Sequence, residues 1–364
     1  MKNAENSTRR RSRSLSFVRH LCAAGVPGAQ LLPALLPAIR ELVPAKSGAF
    51  FYASEKGEMT NIVAERLLSL EEMAVYYAHH HRTDALAFAQ GFRSRIANAN
   101  PVSTHSLTPA ECKRPYYRDV LSKIGVKHFL YAIVRDAAGA PVGQLSLYRG
   151  DDERAFSKAD CKQLLTLLPE IAPAICSNSQ AQPTNVALAM VVAQAHACMS
   201  PTGTLLSWTP NWEPTLRMFA SDRLTPSETA AEVKRMAAAL SGLTEHLKLG
   251  IKSGNHQNGN GAFAWALHPL ETGNTAQNSV LVSLTQKRPK ALALANGAAL
   301  LGLSPAQTRV ALLLANGSQS TDIAQACGVT LNTANYHVKE VFAKCGVTDR
   351  RDISRALLSH AGLT

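Results

Sequence analysis

The chain lacks any Cys-x-x-Cys pair, and its seven cysteines are scattered and odd in number. This pattern argues against a disulfide framework and against the usual zinc-ligand spacings, and it indicates reduced thiols in a cytoplasmic protein. The cysteines are Cys22, Cys112, Cys161, Cys176, Cys198, Cys327 and Cys345.

Long apolar runs are also missing. No stretch approaches the roughly 18 uninterrupted apolar residues of a membrane span, so we expect no membrane association. Arginines within Thr8–Arg13 allow an alternative interpretation as a twin-arginine export signal. Gly25, Pro27 and Pro33 interrupt the apolar segment that such a signal needs, so residues 1–14 are predicted to be a disordered basic tail.

Catalytic and cofactor motifs are absent as well. The sequence has no Gly-x-Ser-x-Gly elbow and no His-Glu-x-x-His, and Lys252-Ser253 follows Ile251 where a phosphate loop requires Gly. The run His79–His81 does not predict a metal site, because consecutive helical residues point about 100° apart. We therefore expect no enzyme activity, no cofactor and no metal.

The net charge is +12, yet its distribution gives little support for nucleic-acid binding. Residues 1–20 hold six Lys or Arg and one Glu, whereas residues 300–364 hold six Lys or Arg and four Asp or Glu. Since the excess lies mainly in the tail, a DNA-binding prediction has to come from a motif.

Such a motif occupies residues 303–359, where four short helical patterns are separated by Gly317, Gly328 and Gly346. Glycine after a helical run reverses the chain in a left-handed conformation at low cost. Ser304-Pro305 predicts the capped start of the first helix, and Thr330 predicts the cap of the third.

The third helical pattern has two contrasting faces. One is an apolar stripe at helical spacing, formed by Ala334, Val338, Val341, Phe342 and Cys345. The other face and its flanks carry amides, hydroxyls, an imidazole and a cation, from Asn332, Thr333, Asn335, Tyr336, His337 and Lys339. Behind residues 323–329, this pattern is typical of a helix-turn-helix whose second helix enters the major groove and contacts base edges and phosphates.

The segment resembles the LuxR-type (GerE-like) DNA-binding domain, which implies an all-α four-helix domain over residues 300–364. The resemblance is carried by Leu303-Ser304-Pro305, Val310, Leu313-Leu314, Gly317, Ile323-Ala324, Gly328-Val329, Thr333, His337-Val338, Lys344, Gly346-Val347 and Arg350. Four positions depart from that family: Gln307 for Glu, Ala334-Asn335 for Val-Lys, and Cys345 for Leu. The expected DNA contacts are Thr330, Asn332, Thr333, Asn335, Tyr336, His337, Lys339, Lys344 and Arg350.

The front of the chain has an α+β pattern over residues 15–176. Strands are predicted at Gly48–Ala53 and Met59–Ala64, and a hairpin at His128–Arg135 and Pro141–Arg149, with Leu145 and Leu147 facing inward. Helical patterns flank them, and one begins at the capping residues Ser157–Asp160. With Gly143–Arg149, this plan resembles a GAF-like sensor domain.

A polar, proline-bearing stretch at residues 177–185 predicts a linker. Residues 186–290 then contain strand patterns and helices at Trp212–Phe219 and Pro226–Leu249, and they resemble a PAS-like module. The Gly/Asn-rich stretch Lys252–Gly261 is predicted to be a mobile loop.

Aromatic residues of the sensor half can be ordinary core, which we favour, or can line a ligand cavity. They are Phe50, Phe51, Tyr52, Tyr116, Tyr117, Phe129 and Tyr131. Tyr76-Tyr77 and Asp84-Ala85 weakly resemble acyl-homoserine lactone receptors, but Ala85 stands in place of proline and the sensor region is too long.

Together these patterns predict a one-component transcription regulator that binds double-stranded DNA and is gated by a small molecule or partner. The alternative is a constitutive DNA-binding dimer whose front modules serve only protein interaction. Ile353, Ala356 and Leu357 share one face of the last helix, which predicts a homodimer on a two-fold operator. The effector, the operator and the sign of regulation are not encoded in any motif.

Overall fold

Two five-stranded antiparallel sheets and a set of helices make up the protein. The structure is a computed structural model that describes residues 14–66, 68–69, 71–72, 86–98, 100–115, 117–176, 189–200, 202–221, 224, 229–270 and 279–360. The basic tail, the linker 177–185, Tyr76-Tyr77, His79–His81, Asp84-Ala85 and Tyr116 lie wholly or largely outside these residues.

Sheet 1 has the strand order β2-β1-β5-β4-β3. Its strands are β1 (Ser47–Ala53), β2 (Met59–Ala64), β3 (Val102–Ser106), β4 (His128–Arg135) and β5 (Pro141–Arg149). The predicted hairpin is confirmed as β4–β5, with Leu130 opposite Leu147 and Ala132 opposite Leu145. These four side chains are fully buried on the first face of the sheet.

Helices precede and follow the strands of sheet 1. They are α1 (residues 14–23), α2 (Gly28–Leu42), α3 (Leu86–Ala97), α4 (Pro109–Cys112) and α5 (Lys158–Cys176). Within residues 117–124 the described chain forms a π-helical turn, Tyr117–Leu121. α3 lies over the second face of the sheet, where Phe92 and Ile96 pack with Ile133 and Phe51.

Sheet 2 has the strand order β7-β6-β10-β9-β8, which is the order of sheet 1 when strands are counted within each sheet. Its elements are β6 (Ala189–Met199), β7 (Leu205–Trp208), α6 (Trp212–Ala220), α7 (Thr229–Lys248), β8 (Ser253–Asn258), β9 (Gly261–Leu270) and β10 (Ser279–Pro289). Trp212 and Leu216 of α6 and Leu243 of α7 pack on the buried face of the sheet.

The predicted mobile loop Lys252–Gly261 is wrong, because most of it is the edge strand β8. Its backbone pairs with β9 from Ser253 to Asn258, and those ladder hydrogen bonds stabilise a strand whose side chains have low β propensity. Gly254 is required there, since a Cβ atom would lie 2.6 Å from the Trp265 ring.

The C-terminal part is entirely helical. It contains α8 (Lys290–Leu300), α9 (Pro305–Ala315), α10 (Ser320–Cys327), α11 (Leu331–Cys345) and α12 (Arg350–His360). The last four are the predicted helices. Helix α8 was not predicted; its Ala/Leu-rich run is a good helix former but is interrupted by Gly297.

The described chain divides into two compact units. The first contains residues 14–44, 166–176 and 289–360, and the second contains residues 45–165 and 189–288. This division places α1 and α2 with the C-terminal helices, whereas a single sensor domain was predicted over residues 15–176. The apolar faces of helices do not specify their partners, so the sequence could not make this assignment.

Contacts of α1 and α2 with later parts of the chain explain why these helices belong to the first unit. His20 of α1 is buried, and its Nε2 lies 2.7 Å from the carbonyl oxygen of Leu303. Ala24 packs against the core of the C-terminal helices. A Cβ atom on Gly28 of α2 would lie 2.2 Å from the carbonyl oxygen of Ile175, so these two backbones are in direct contact.

Candidate nucleic-acid interface

The first helix of the interface region, α9, begins at a reciprocal cap. The Ser304 hydroxyl accepts the backbone N–H of Gln307, and Oε1 of Gln307 accepts the backbone N–H of Ser304, at 3.2 and 3.0 Å. Pro305 occupies the first turn. Two otherwise unpaired helix donors are thereby satisfied, and Gln307 serves where the resembling family has Glu.

Helices α10 and α11 begin and end as their local sequence predicts. Gly328 ends α10 in the left-handed region with φ of 66°, and Gly346 ends α11 with φ of 65°. At the start of α11, the Thr330 hydroxyl accepts the backbone N–H of Thr333 at 3.2 Å. These local signals fix the length and direction of α11.

The apolar stripe of α11 anchors it in the domain. Ala334 and Val341 are fully buried, and Val338 and Cys345 are nearly so. They share one core with residues from all the other C-terminal helices, including Leu294, Leu303, Val310, Ile323, Ile353 and Leu357. Burial also raises the pKa of the Cys345 thiol, which therefore behaves as an apolar core group.

The opposite face of α11 is open. Asn332, Asn335 and Lys339 are exposed, and Tyr336 has 60% of its surface accessible. Among the described residues, Lys339 has no ion-pair or hydrogen-bond partner. This face offers two amides and a free ammonium to a ligand, which is the chemistry that base edges and phosphates require.

Two predicted contact residues, Thr333 and His337, lie on the flanks of the open face, and the first of them has an internal role. The Thr333 hydroxyl lies 2.9 Å from that of Thr330, so both belong to the helix cap. His337 is half-buried, and within the described part of the chain its buried Nδ1 has no hydrogen-bond partner.

The cations Lys344 and Arg350 are bound inside the domain. Nζ of Lys344 donates to the Gly302 carbonyl at 3.0 Å and to Oε1 of Gln307 at 2.9 Å. Arg350 donates to the Ser318 carbonyl at 3.2 Å and to Oε1 of Gln319 at 2.9 Å. Each joins a helix end to a distant turn, so the structure does not group them with the open face of α11.

Arg351 also has a partner within the domain, the carboxylate of Asp349. Hydrogen bonds from its side chain and backbone lower the pKa of Asp349 to about 2, so this carboxylate is ionised at neutral pH and offsets the arginine. Lys339 therefore differs from Arg351 in lacking a neighbouring carboxylate partner.

Two exposed apolar side chains beside the open face were not among the predicted DNA contacts. Val329 and Leu331 precede and begin α11, with 36% and 45% of their surface accessible. Leu331 lies three residues before Ala334 and falls on the helical spacing of the apolar stripe, so the sequence pattern predicts its burial and gives no signal for its exposure. Apolar groups at such positions can contact thymine methyls.

Comparison with protein families assigns the C-terminal region. Residues 301–357 match the bacterial regulatory proteins of the luxR family. These residues form a LuxR-type domain. The chain thus carries the DNA-binding part of a LuxR-type helix-turn-helix regulator, as predicted, and α9 to α12 are its four helices.

The similar solved structures have low sequence identity and low TM-scores. The VqmA dimer of Vibrio cholerae, a LuxR-type receptor, is 16% identical over 46% of this chain and 83% of its own, with a TM-score of 0.19. The E. coli DhaR(N)–DhaL complex is 14% identical over 77% and 88%, with a TM-score of 0.21. The sensor region of a sensor histidine kinase is 12% identical over 72% and 93%, with a TM-score of 0.19. TM-scores of this size do not establish a common fold, and no curated protein matches the chain.

The last helix of the LuxR-type domain does not carry the surplus apolar face that was predicted. Ile353 and Leu357 of α12 are fully buried, and Ala356 is partly buried against the same core. α8 provides the cover: a Cβ atom on Gly297 would lie 1.9 Å from the carbonyl oxygen of Leu357. The observation that motivated a dimer through α12 is therefore removed.

In the described ranges, no group of three His, Cys, Asp or Glu side chains is arranged to hold a metal ion. No described helix combines the length and apolar composition needed to cross a membrane.

Proposed function

We propose that this protein is a sequence-specific, DNA-binding transcription regulator, and that α11 is its reading helix. The observation that supports this most directly is the open face of α11, with two exposed amides and an ammonium that has no partner among the described residues, on a capped, well-anchored helix. Its place as the second helix of a helix-turn-helix is the geometry that enters a major groove.

The predicted contacts divide into three roles in this proposal. Asn332, Asn335, Tyr336 and Lys339 contact DNA directly, with Val329 and Leu331 as apolar neighbours. Thr330 and Thr333 form the cap at the start of α11, and His337 flanks its open face. Lys344 and Arg350 hold the helices together and support binding indirectly.

We propose that the front modules supply the regulatory input, as a GAF-like and a PAS-like sensor. Two sheets with the same strand order support a pair of related modules. If their cores hold no ligand, the alternative of constitutive DNA binding with protein-interaction modules takes precedence.

We also propose two copies on each operator, because one reading helix contacts only a few base pairs. The buried face of α12 does not provide the contact between copies, so we place it outside α12.

Selection of duplexes from a random library with the full chain tests the proposal. We expect recovered duplexes to share a motif with two related half-sites, each protected in footprinting. Recovery of unrelated sequences, with affinity set by salt alone, would overturn sequence-specific binding. A single protected half-site at saturation would contradict two copies per operator.

A further inference from the structure

A polar recess lies on the second face of sheet 1, beside α3. It is lined by Arg95 of α3, Ser103, Thr104 and His105 of β3, and Tyr131 of β4. Its volume is about 280 Å3. Pockets for drug-sized ligands hold roughly 300–1,000 Å3, so this recess suits a smaller molecule.

Buried polar groups fix the position of Arg95. Its Nε donates to Oε1 of Gln144 at 2.8 Å, and its guanidinium carbon lies 4.5 Å from the centre of the Tyr131 ring. The Gln144 amide in turn donates to the Ser146 hydroxyl at 2.8 Å, and both of these residues are buried. A guanidinium stacked on a ring and bonded at Nε loses little freedom when it binds a ligand.

The two terminal nitrogens of Arg95 remain available. Within the described ranges, neither has a hydrogen-bond or ion-pair partner. Arg95 alone of the lining residues carries a permanent charge. The neighbouring carboxylate of Glu111 lies 3.5 Å from Nε2 of His105 and also accepts hydrogen bonds from Thr108. The recess therefore contains one fork-shaped cation and hydroxyl and imidazole groups around it.

We propose that this recess binds a small monocarboxylate that carries a second polar group. The carboxylate takes the two free nitrogens of Arg95 in a fork, and the second group bonds to Ser103 or His105, which share the second face of the sheet with Tyr131. One cation matches one negative charge, which favours a carboxylate over a doubly charged phosphate. Burial raises the pKa of Tyr131 to about 12, so its phenol stays neutral and does not repel the ligand.

The carboxylate site requires no DNA. Its further role as the signal input rests on the function proposed above, in which the front modules control the LuxR-type domain.

Calorimetric titration of the full chain with 4-hydroxybenzoate and with 4-hydroxybenzamide tests the site, without DNA. The two probes have nearly the same size, and only the first offers a carboxylate. We expect saturable binding of the acid and at least about tenfold weaker binding of the amide, because the fork is lost. No saturable binding of the acid, or equal affinities, would overturn the proposal.

Variants on α3 locate the site. Arg95→Gln should weaken binding of the acid about tenfold or more, and Arg95→Lys should fall between, because it keeps the charge without the fork. Arg93→Gln is the matched control: Arg93 is exposed on the same helix and pairs with Glu58 at 2.9 Å, and this variant should bind as the unaltered chain does. Equal loss in Arg93→Gln and Arg95→Gln would overturn the site.

If thermal unfolding shows that Arg95→Gln does not fold, the affinity of Arg95→Lys for the acid tests the site. Wild-type affinity in that variant would overturn the proposed two-nitrogen contact.

Duplex binding separates the carboxylate proposal from the regulator proposal. If the acid does not bind while the selected duplex does, the carboxylate site is wrong and the regulator proposal stands. If the acid binds and no duplex is selected, the reverse holds.

Discussion

Helices α11 and α12 of the LuxR-type domain both have an apolar stripe and a polar face, and the sequence predicted a functional role for the polar face of α11 and for the apolar face of α12. In α11 the stripe is buried and the amide-rich face is open. In α12 the stripe is also buried, because α8 covers it so closely that Gly297 has no room for a side chain. Neither helix therefore shows an apolar face in need of a second protein copy.

The difference shows how far a helix pattern can be interpreted. A polar face is predictable from the sequence, because burying it would leave its groups unpaired and it therefore faces solvent or a ligand. An apolar face is a weaker indication, because any other helix of the same chain can cover it.

The largest expected effect comes from breaking the contact of α12 with α8. Leu357→Ala should destabilise this region by about 2–5 kcal/mol, since it leaves a cavity in the core. We expect faster amide hydrogen exchange in α8 and α12 of the full chain. Gly297→Ala should act in the same direction by overpacking, and exposed Ser359→Ala is the control. If Leu357→Ala instead changes only the oligomeric state, α12 is a dimer face after all.

Asn335→Ala examines the open face of α11. It should cost about 1–3 kcal/mol on the selected duplex and relax discrimination at one base position, because an amide both donates and accepts at a base edge. Titrations against matched and scrambled duplexes measure this. An equal loss on both duplexes would show that Asn335 contacts only the backbone.

The variant Lys344→Met tests whether a cation that is hydrogen-bonded within the domain also contacts DNA. Removing its hydrogen bonds to Gly302 and Gln307 should lower the free energy of unfolding by about 1 kcal/mol. The dependence of log affinity on log salt should stay unchanged, because no phosphate contact is lost. Thermal unfolding and duplex titration at several salt concentrations give both quantities, and a reduced salt slope would return Lys344 to the contact surface.

Of the three substitutions in α11, Lys339→Ala should cause the smallest change in free energy. We expect a uniform, modest weakening on specific and random duplexes, and a salt slope lower by about one unit. Stability should be unchanged, because the described residues give Lys339 no partner. A loss confined to the specific duplex would assign Lys339 to base reading.

Much of the local structure was predictable. The cap at Ser304, the cap at Thr330 and the left-handed Gly328 and Gly346 are determined by residues within a few positions of each other. The β4–β5 hairpin was predictable for the same reason, since a short turn joins two alternating patterns. The strand β8 was not, because its stability comes from pairing with β9 and its composition resembles a loop.

Caps, glycines and helical spacing are local signals, so the LuxR-type domain and the polar face of α11 could be predicted from the sequence. Three features follow only from tertiary packing. They are the hydrogen-bond partners of the cations, the contact of α8 with α12, and the position of Arg95 beside a recess. Lys344 reaches a carbonyl 42 residues away, and Arg95 reaches an amide 49 residues away. Local propensity contains no information on such partners, because they meet only when the packing of distant elements brings them together.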